Sequence, residues 1–191
     1  AEGLCEDVPV HHAAGGRAVR DAGAIIIGKT NLPRWSGDLQ SFNDLFGTTV
    51  NPWNPDRVPG GSSGGAAAAV AAGLSSFEIG TDIGGSIRIP SAYCGVFGHK
   101  PSFGIVPSSG YLDHERGGTT EADINVIGPI ARSAGDLELL LGILLRKDGP
   151  LVAELAPPPE DLRTLRVAAW LDDPFCPVDT EVLEVMSAAA D

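Results

Sequence analysis

Two serines lie in glycine-rich segments whose residue types suit acyl transfer. Ser62 lies in the run GGSSGG at 60–65, and Ser86 lies in the run GTDIGGSIRIP at 80–90. A serine hydroxyl becomes a useful nucleophile only when a neighbouring base takes its proton. Two such loops, joined by a helix and a strand, form an arrangement that this chemistry can use.

The glycines before Ser86 suit the second requirement of acyl transfer, which is stabilisation of an oxyanion. Backbone N–H groups aimed at the oxyanion provide it, and the loss of one such donor typically slows the reaction by about 10²–10³-fold. Gly84 and Gly85 allow the backbone to turn its amides inward beside Ser86, as in an anion-binding nest. A single loop of this kind is more simply explained as a tight turn.

The elements that must position the two serines follow from the local sequence. The alanine-rich segment 66–72 predicts a helix that ends at Gly73. Segment 77–81 predicts a strand that leads into the Ser86 loop, and segment 87–93 predicts a helix after it. Both serines are therefore expected where a loop meets a helix.

Further elements are expected around this core. Residues 31–59 form a long irregular segment, and a loop of that length inside a domain is usually functional. The other predictions are a helix ending near Asp21, a buried strand at 24–27, a capping box at Ser133–Asp136 before a helix at 137–146, a strand at 166–171 and a helix from Asp179. Because that last helix still runs at Asp191, we expect a truncated protein.

The order and spacing of these motifs resemble the amidase signature family of serine hydrolases. Ser86 follows Ser62 by 24 residues, as the second catalytic serine of that family follows the first. The likeness covers positions from about 17 to 146 and weakens towards Leu171. It includes the shorter motifs GKTN at 28–31, NPWNP at 51–55, GHKP at 98–101 and GPIARS at 128–133.

The resemblance implies an α/β fold with a mixed β-sheet core covered by α-helices. This chain would supply only the central part of that fold. Residues 1–191 are then one partial domain, with the signature core at about 17–146, a proline-rich connection at 147–163, and a strand and helix at 164–191.

The same resemblance implies roles for individual residues. Ser86 would attack the amide carbonyl and become the acyl-enzyme, while Ser62, held in the family by a cis peptide, would relay the proton. Asp82 and Arg88 look structural in the family, bracing the nucleophile loop. The oxyanion hole would be formed by the backbone amides of Ile83, Gly84, Gly85 and Ser86. No metal or cofactor is implied.

One family residue has no counterpart in this chain. The family's base is a lysine that lies further upstream of the bridging serine than residues 1–61 reach. The three lysines present are Lys29, Lys100 and Lys147, and none of them matches the position of that base. We therefore expect residues 1–191 alone to be inactive.

The expected function is hydrolysis of a linear carboxamide, or an ester, through a serine acyl-enzyme. Two alternatives stay open. The missing lysine favours a non-catalytic fragment or pseudoenzyme that acts as a binding module. An amidotransferase A-type subunit is the other, although the formal net charge of −12 disfavours direct contact with tRNA.

Composition limits the partners and the compartment. The acidic charge argues against nucleic acid and anionic membranes, and no apolar run is long enough to span a bilayer. Cys5, Cys94 and Cys176 are odd in number and widely separated, which suits neither a disulfide framework nor a zinc site and favours the cytoplasm. We expect a small amide substrate, and association with another copy or with missing segments.

Two other motif matches lack the local structure that their function requires. Residues 23–30 fit the phosphate-loop pattern, but three isoleucines occupy the place of its flexible loop. Residues 61–65 fit the nucleophile elbow of α/β-hydrolases around Ser63, with His99 or His114 as the base. That elbow must follow a strand, whereas the residues before it are turn-forming.

Overall fold

The computed structural model describes residues 12–111, 124–147 and 155–190. The chain divides into two compact units, Ala1–Ala153 and Glu154–Asp191. Within the described ranges, no helix has both the length and the apolar character needed to cross a membrane.

A three-stranded antiparallel sheet lies at the centre of the first unit. Its strands are β3 (Phe77–Asp82), β4 (Phe97–Gly98) and β5 (Val126–Ala131), in the order β3-β5-β4. All six residues of the central strand β5 are buried. The apolar sequence VIGPIA therefore forms a strand whose two faces are both covered by other elements.

Helices cover both faces of this sheet. Helices α1 (Ala14–Asp21) and α4 (Ala134–Leu144) pack on one face, and α2 (Gly64–Ala71) and α3 (Arg88–Cys94) pack on the other. The first face carries the larger core cluster, formed by Val19, Val106, Ile127, Ala131, Leu140 and Leu144. The second face, with Ala66, Val70, Ile87 and Ile130 in its core, carries both serine loops.

Helix α2 lies very close to the sheet because its side chains are small. Six of its eight residues are buried. A Cβ added at Gly80 of β3 would lie 2.7 Å from Ser63 Oγ, so the strand and the start of the helix leave no room for a methyl group. The predicted alanine-rich helix is confirmed, and Gly73 follows it with φ +74°.

Several predicted elements are confirmed. The predicted strand at 77–81 and the helix at 87–93 match β3 and α3 to within a residue. Ser133 caps α4, because its Oγ accepts a hydrogen bond from Asp136 N at 3.1 Å. In the second unit, Asp179 precedes α5 (Thr180–Ala190) and its Oδ1 accepts from Glu181 N at 3.0 Å.

Two predicted strands are wrong. Residues 24–27 are not a strand, and Ile25 and Ile27 are 86% and 75% exposed. Residues 166–171 form no strand either, and Trp170 is 81% exposed. A buried strand needs neighbouring strands on its edges and apolar layers on its faces, and no described residues supply them to either segment.

The connections also largely match expectation. The segment 31–59 is irregular except for a 3-10 turn at Arg34–Ser36 and the short hairpin of β1 (Phe42–Asn43) and β2 (Gly47–Thr48). Residues 155–163 of the predicted connection at 147–163 are exposed, and residues 148–154 of it lie outside the described part of the chain.

Candidate active site

The two serine loops lie against each other on the α2–α3 face of the sheet. Ser62 lies just before α2, and Ser86 lies in the turn that joins β3 to α3. The N–H of Ser63 donates to the carbonyl of Ser86 at 3.1 Å. Ser62 is buried, whereas Ser86 is only half-buried. The fold thus brings together both serines that the sequence singled out and leaves Ser86 accessible.

The Ser62 loop is enclosed by the long segment at 31–59. The peptide bond between Gly61 and Ser62 is cis, as the family resemblance implied. Ser41 Oγ donates to the carbonyls of Gly60 and Ser62 at 3.3 and 3.4 Å. Gly61 faces the backbone of Asp38 and Leu39, since a Cβ at this glycine would lie 2.8 Å from Leu39 Cα. The sequence did not predict this contact, because no local pattern in residues 31–59 indicates which of them pack against the Ser62 loop.

The Ser86 turn is organised by the carboxylate of Asp82, which is fully buried at the end of β3. Its Oδ1 accepts a hydrogen bond from Gly85 N at 2.8 Å. Its Oδ2 accepts from Ile87 N at 3.0 Å and from Arg88 N at 3.3 Å. One side chain therefore holds the backbone on both sides of Ser86.

The guanidinium of Arg88 completes the environment of this carboxylate. Arg88 Nε donates to Oδ2 of Asp82 at 3.1 Å, and Nη2 donates to Oδ1 at 2.9 Å. Burial alone would raise the pKa of Asp82, but the hydrogen bonds from Arg88, Ile87 and Gly85 lower the pKa to about 2. Asp82 is thus a charged, fully bonded carboxylate at neutral pH, which agrees with the bracing role that the resemblance implied.

The four amides expected to form the oxyanion hole differ in their surroundings. Ile83 and Gly84 are exposed, and the space beside Gly84 is open. Gly85 has φ +117°, and its N–H already donates to Asp82 Oδ1 at 2.8 Å. The amides of Ile83, Gly84 and Ser86 are therefore better placed than that of Gly85 to meet an oxyanion in this conformation.

Other nucleophiles and bases lie in ordinary environments. Cys94 is buried, and burial raises the pKa of its thiol to about 11, so it is neutral at physiological pH. Its Sγ donates to the carbonyl of Pro59 at 3.3 Å. Lys29 is exposed, and Lys100 Nζ donates to the carbonyl of Pro101 at 2.9 Å.

His99 is half-buried beside β5, and His114 and Cys5 lie outside the described residues. In the part of the chain that the structure describes, no three or more His, Cys, Asp or Glu side chains are grouped so as to hold a metal ion.

The turn geometry predicts that alanine destabilises the protein at Gly85 and has little effect at the adjacent Gly84. At Gly85 the positive φ disfavours any side chain, and a Cβ would lie 2.6 Å from Ile89 Cδ1. We expect Gly85→Ala to lower the free energy of unfolding by about 1–3 kcal/mol. Gly84→Ala, whose Cβ would meet open space, is the matched control. Thermal unfolding of both variants checks this, and equal melting temperatures would contradict the geometry.

The Asp82–Arg88 pair predicts a pH dependence of stability. The folded pKa of Asp82, about 2, lies below the ordinary value near 3.9, so its stabilisation is complete above about pH 4 and is lost as the pH falls through 2. Arg88→Met should raise that folded pKa towards the ordinary value, so that less stabilisation depends on pH and its loss is complete at a higher pH. At pH 7 the half-exposed guanidinium limits the destabilisation to about 1–2 kcal/mol.

Urea unfolding at several pH values measures both effects of Arg88→Met. The matched control is Arg163→Met, which breaks an exposed pair in which Arg163 Nε lies 3.0 Å from Asp161 Oδ1. The control should show no measurable change. A pH profile of Arg88→Met parallel to that of the unmodified protein would contradict the assigned role of Arg88.

Comparison with known proteins identifies the family to which the sequence is similar. The family model described as Amidase matches residues 4–191. The glutamyl-tRNA(Gln) amidotransferase A-type subunit of Deinococcus radiodurans is 41% identical over 145 residues, which cover 76% of this chain and 29% of that protein. The chain thus spans about a third or less of the length of such relatives.

Solved structures agree in fold. The glutamyl-tRNA(Gln) amidotransferase A-type subunit of Thermotoga maritima matches with a TM-score of 0.66 at 35% identity, covering 77% of this chain and 32% of that one. A bacterial aryl acylamidase of the amidase signature family matches with a TM-score of 0.66 at 32% identity, covering 77% and 30%. The expected α/β class is confirmed, and the chain belongs to the amidase signature family, of whose fold it carries a part.

Proposed function

We propose that the protein hydrolyses a carboxamide, or an ester, through an acyl-enzyme on Ser86. The observation that carries the proposal is the contact between the two serine loops, in which Ser63 N donates to the Ser86 carbonyl at 3.1 Å. Through this contact the loop of the buried Ser62 lies against the loop of the half-buried Ser86, whose turn is held by Asp82. Membership of the amidase signature family supplies the reaction class.

In the first step, Ser86 Oγ attacks the substrate carbonyl and its proton passes to Ser62. The carbonyl oxygen becomes an oxyanion, which the amides of the exposed residues Ile83 and Gly84 and the amide of Ser86 stabilise. The tetrahedral intermediate then collapses: the C–N bond breaks, the leaving nitrogen takes a proton, and the acyl group stays on Ser86. Water cleaves the ester in the second half of the cycle and restores the serine.

The base that finally holds the proton is not assigned within this chain. In the family it is a lysine upstream of the bridging serine; Lys29 and Lys100 match other family positions, and Lys147 lies beyond the signature region. We therefore propose this activity for the complete protein that contains these residues.

A second candidate function rests on the identity of 41% to the glutamyl-tRNA(Gln) amidotransferase A-type subunit of Deinococcus radiodurans. Both functions share the cleavage of an amide at Ser86, and they differ in the fate of the released ammonia. The net charge of −12 disfavours direct contact with tRNA, so a tRNA-dependent reaction would need a further protein component. Glutamine hydrolysis that rises on addition of such a component would favour this candidate over a free-standing amidase.

The nucleophile is tested by Ser86→Ala in the complete protein. Because Ser86 carries the acyl group in the proposed mechanism, turnover of an aryl amide should fall by about 10³-fold or more. Circular dichroism and the melting temperature check that the variant is folded. Retention of more than about one per cent of the activity would contradict the proposal, and absence of activity in the unmodified complete protein would favour the binding-module alternative.

The proton relay is tested by comparing two neighbouring serines. Ser62 and Ser63 are both buried, so each serine-to-alanine change removes one hydroxyl from a similar environment. Ser62→Ala should reduce kcat by about 10²-fold or more, and Ser63→Ala should reduce it far less, because only Ser62 relays the proton. Equal or reversed losses of kcat would instead support the nucleophile elbow centred on Ser63.

A further inference from the structure

The peptide unit that joins Ser62 to Ser63 is held by hydrogen bonds at both of its polar groups. Its N–H, which belongs to Ser63, donates to the carbonyl of Ser86 at 3.1 Å. Its carbonyl, which belongs to Ser62, accepts from Ser41 Oγ at 3.4 Å, and the same hydroxyl donates to the carbonyl of Gly60 at 3.3 Å. Because a peptide unit is planar and rigid, this one connects Ser41 directly to the loop of the nucleophile.

Ser41 is itself fixed in place. It is fully buried, and its own carbonyl accepts hydrogen bonds from Thr49 N at 2.9 Å and from Asn31 Nδ2 at 3.3 Å. The first turn of α2 packs against it, since a Cβ added at Gly64 would lie 3.1 Å from Ser41 Cβ. A hydroxyl confined in this way is restricted to the partners that surround it, which are the carbonyls of the Ser62 loop.

The side chain of Asn31 ties Ser41 to the β1–β2 hairpin. In addition to the Ser41 carbonyl, Asn31 Nδ2 lies 3.1 Å from both Gly47 O and Thr49 Oγ1. The backbone of Asn31 packs against Gly65 of α2, where a Cβ would lie 2.6 Å from Asn31 N. The GKTN motif, which has no part in the proposed chemistry, therefore ends in a residue that holds Ser41 beside α2.

The position of Ser62 matters because this serine relays a proton in the proposed mechanism. Proton transfer needs donor and acceptor atoms about 2.6–3.2 Å apart, and a displacement of about 1 Å can cost about 10²-fold in rate. Without the bond from Ser41, the peptide unit after Ser62 would keep only its bond to Ser86 and could rotate about it. Since Ser41 is fully buried, its effect on the reaction passes through the Ser62 loop.

We propose that Ser41 is a positioning residue of the proton relay. Its hydroxyl holds the carbonyls of Gly60 and Ser62 and thereby keeps the Ser62 hydroxyl within reach of Ser86. Ser41 contacts no substrate and takes no part in bond making. The proposal rests on the proposed hydrolysis at Ser86. It requires that loss of the Ser41 hydroxyl slows the chemical step, leaves substrate binding intact, and acts only while Ser62 carries its hydroxyl.

The variant Ser41→Ala in the complete protein tests this role. With p-nitroacetanilide as the substrate, kcat should fall by about 10–100-fold and KM should change by less than about threefold. The matched control is Ser91→Ala on α3, which should change neither value. Ser91 is also buried, and its Oγ has no hydrogen-bond partner among the described residues. Counting kcat per Ser86 titrated to completion by a small alkyl fluorophosphonate corrects for any unfolded protein.

Combination with Ser62→Ala shows whether Ser41 acts through the bridging serine. Once the relay hydroxyl is absent, its position no longer affects the rate. Adding Ser41→Ala to Ser62→Ala should therefore change kcat by less than about threefold. A general structural role would instead lower kcat by the same factor in both backgrounds, or would lower the melting temperature alone. Either of these results would overturn the proposal.

The rate at which the fluorophosphonate labels Ser86 separates this proposal from the hydrolase proposal. Labelling also requires an activated Ser86, so Ser41→Ala should slow it, whether or not p-nitroacetanilide is turned over. Unchanged kcat and labelling in Ser41→Ala, beside a clear loss in Ser62→Ala, would refute the role of Ser41 while the Ser86 mechanism stands. Absence of both labelling and hydrolysis in the unmodified protein would refute the hydrolase proposal itself.

Discussion

The carboxylate of Asp82 is the group on which the rest of the candidate site depends. It is fully buried, yet it accepts hydrogen bonds from three backbone amides around Ser86 and from two nitrogens of Arg88. A buried carboxylate without partners would strongly destabilise the fold, so the turn is stable only when its amides and Arg88 donate to Asp82. Because Asp82 ends β3, which pairs along its whole length with β5, the position of the nucleophile is set by the sheet.

The second constraint is the use of small residues wherever backbones must approach. Gly61 meets the backbone of Leu39, and Gly80 meets Ser63, so that the Ser62 loop is clamped between the long irregular segment and the sheet. Helix α2 continues this pattern with buried alanines. Close packing of this kind restricts the distance between the two serine loops, and a proton relay depends on that distance.

Local sequence was sufficient for elements whose partners lie nearby. The alanine-rich helix, strand β3 and the Ser133 cap could all be predicted from short patterns, and so could the location of Ser62 and Ser86 in loops that meet helices. Residues 24–27 resemble a buried strand in composition. A segment is buried only where other elements pack against it, however, and no described residues cover Ile25 and Ile27. Strand β5 escaped prediction because Pro129 argues against a central strand. The contact of Gly61 with Asp38 and Leu39, and the hydrogen bond from Gly85 to Asp82, are tertiary features that spacing does not reveal.

The central claim, that Ser86 carries the acyl group, is tested most directly by locating a covalent adduct. The complete protein is incubated with an aryl ester or a fluorophosphonate, quenched in acid, digested and analysed by tandem mass spectrometry. The account predicts a stoichiometric adduct on Ser86, formed because the braced turn presents this hydroxyl beside open oxyanion donors. An adduct on Ser63, on Cys94 or on no residue, in a protein that still hydrolyses the amide, would contradict it.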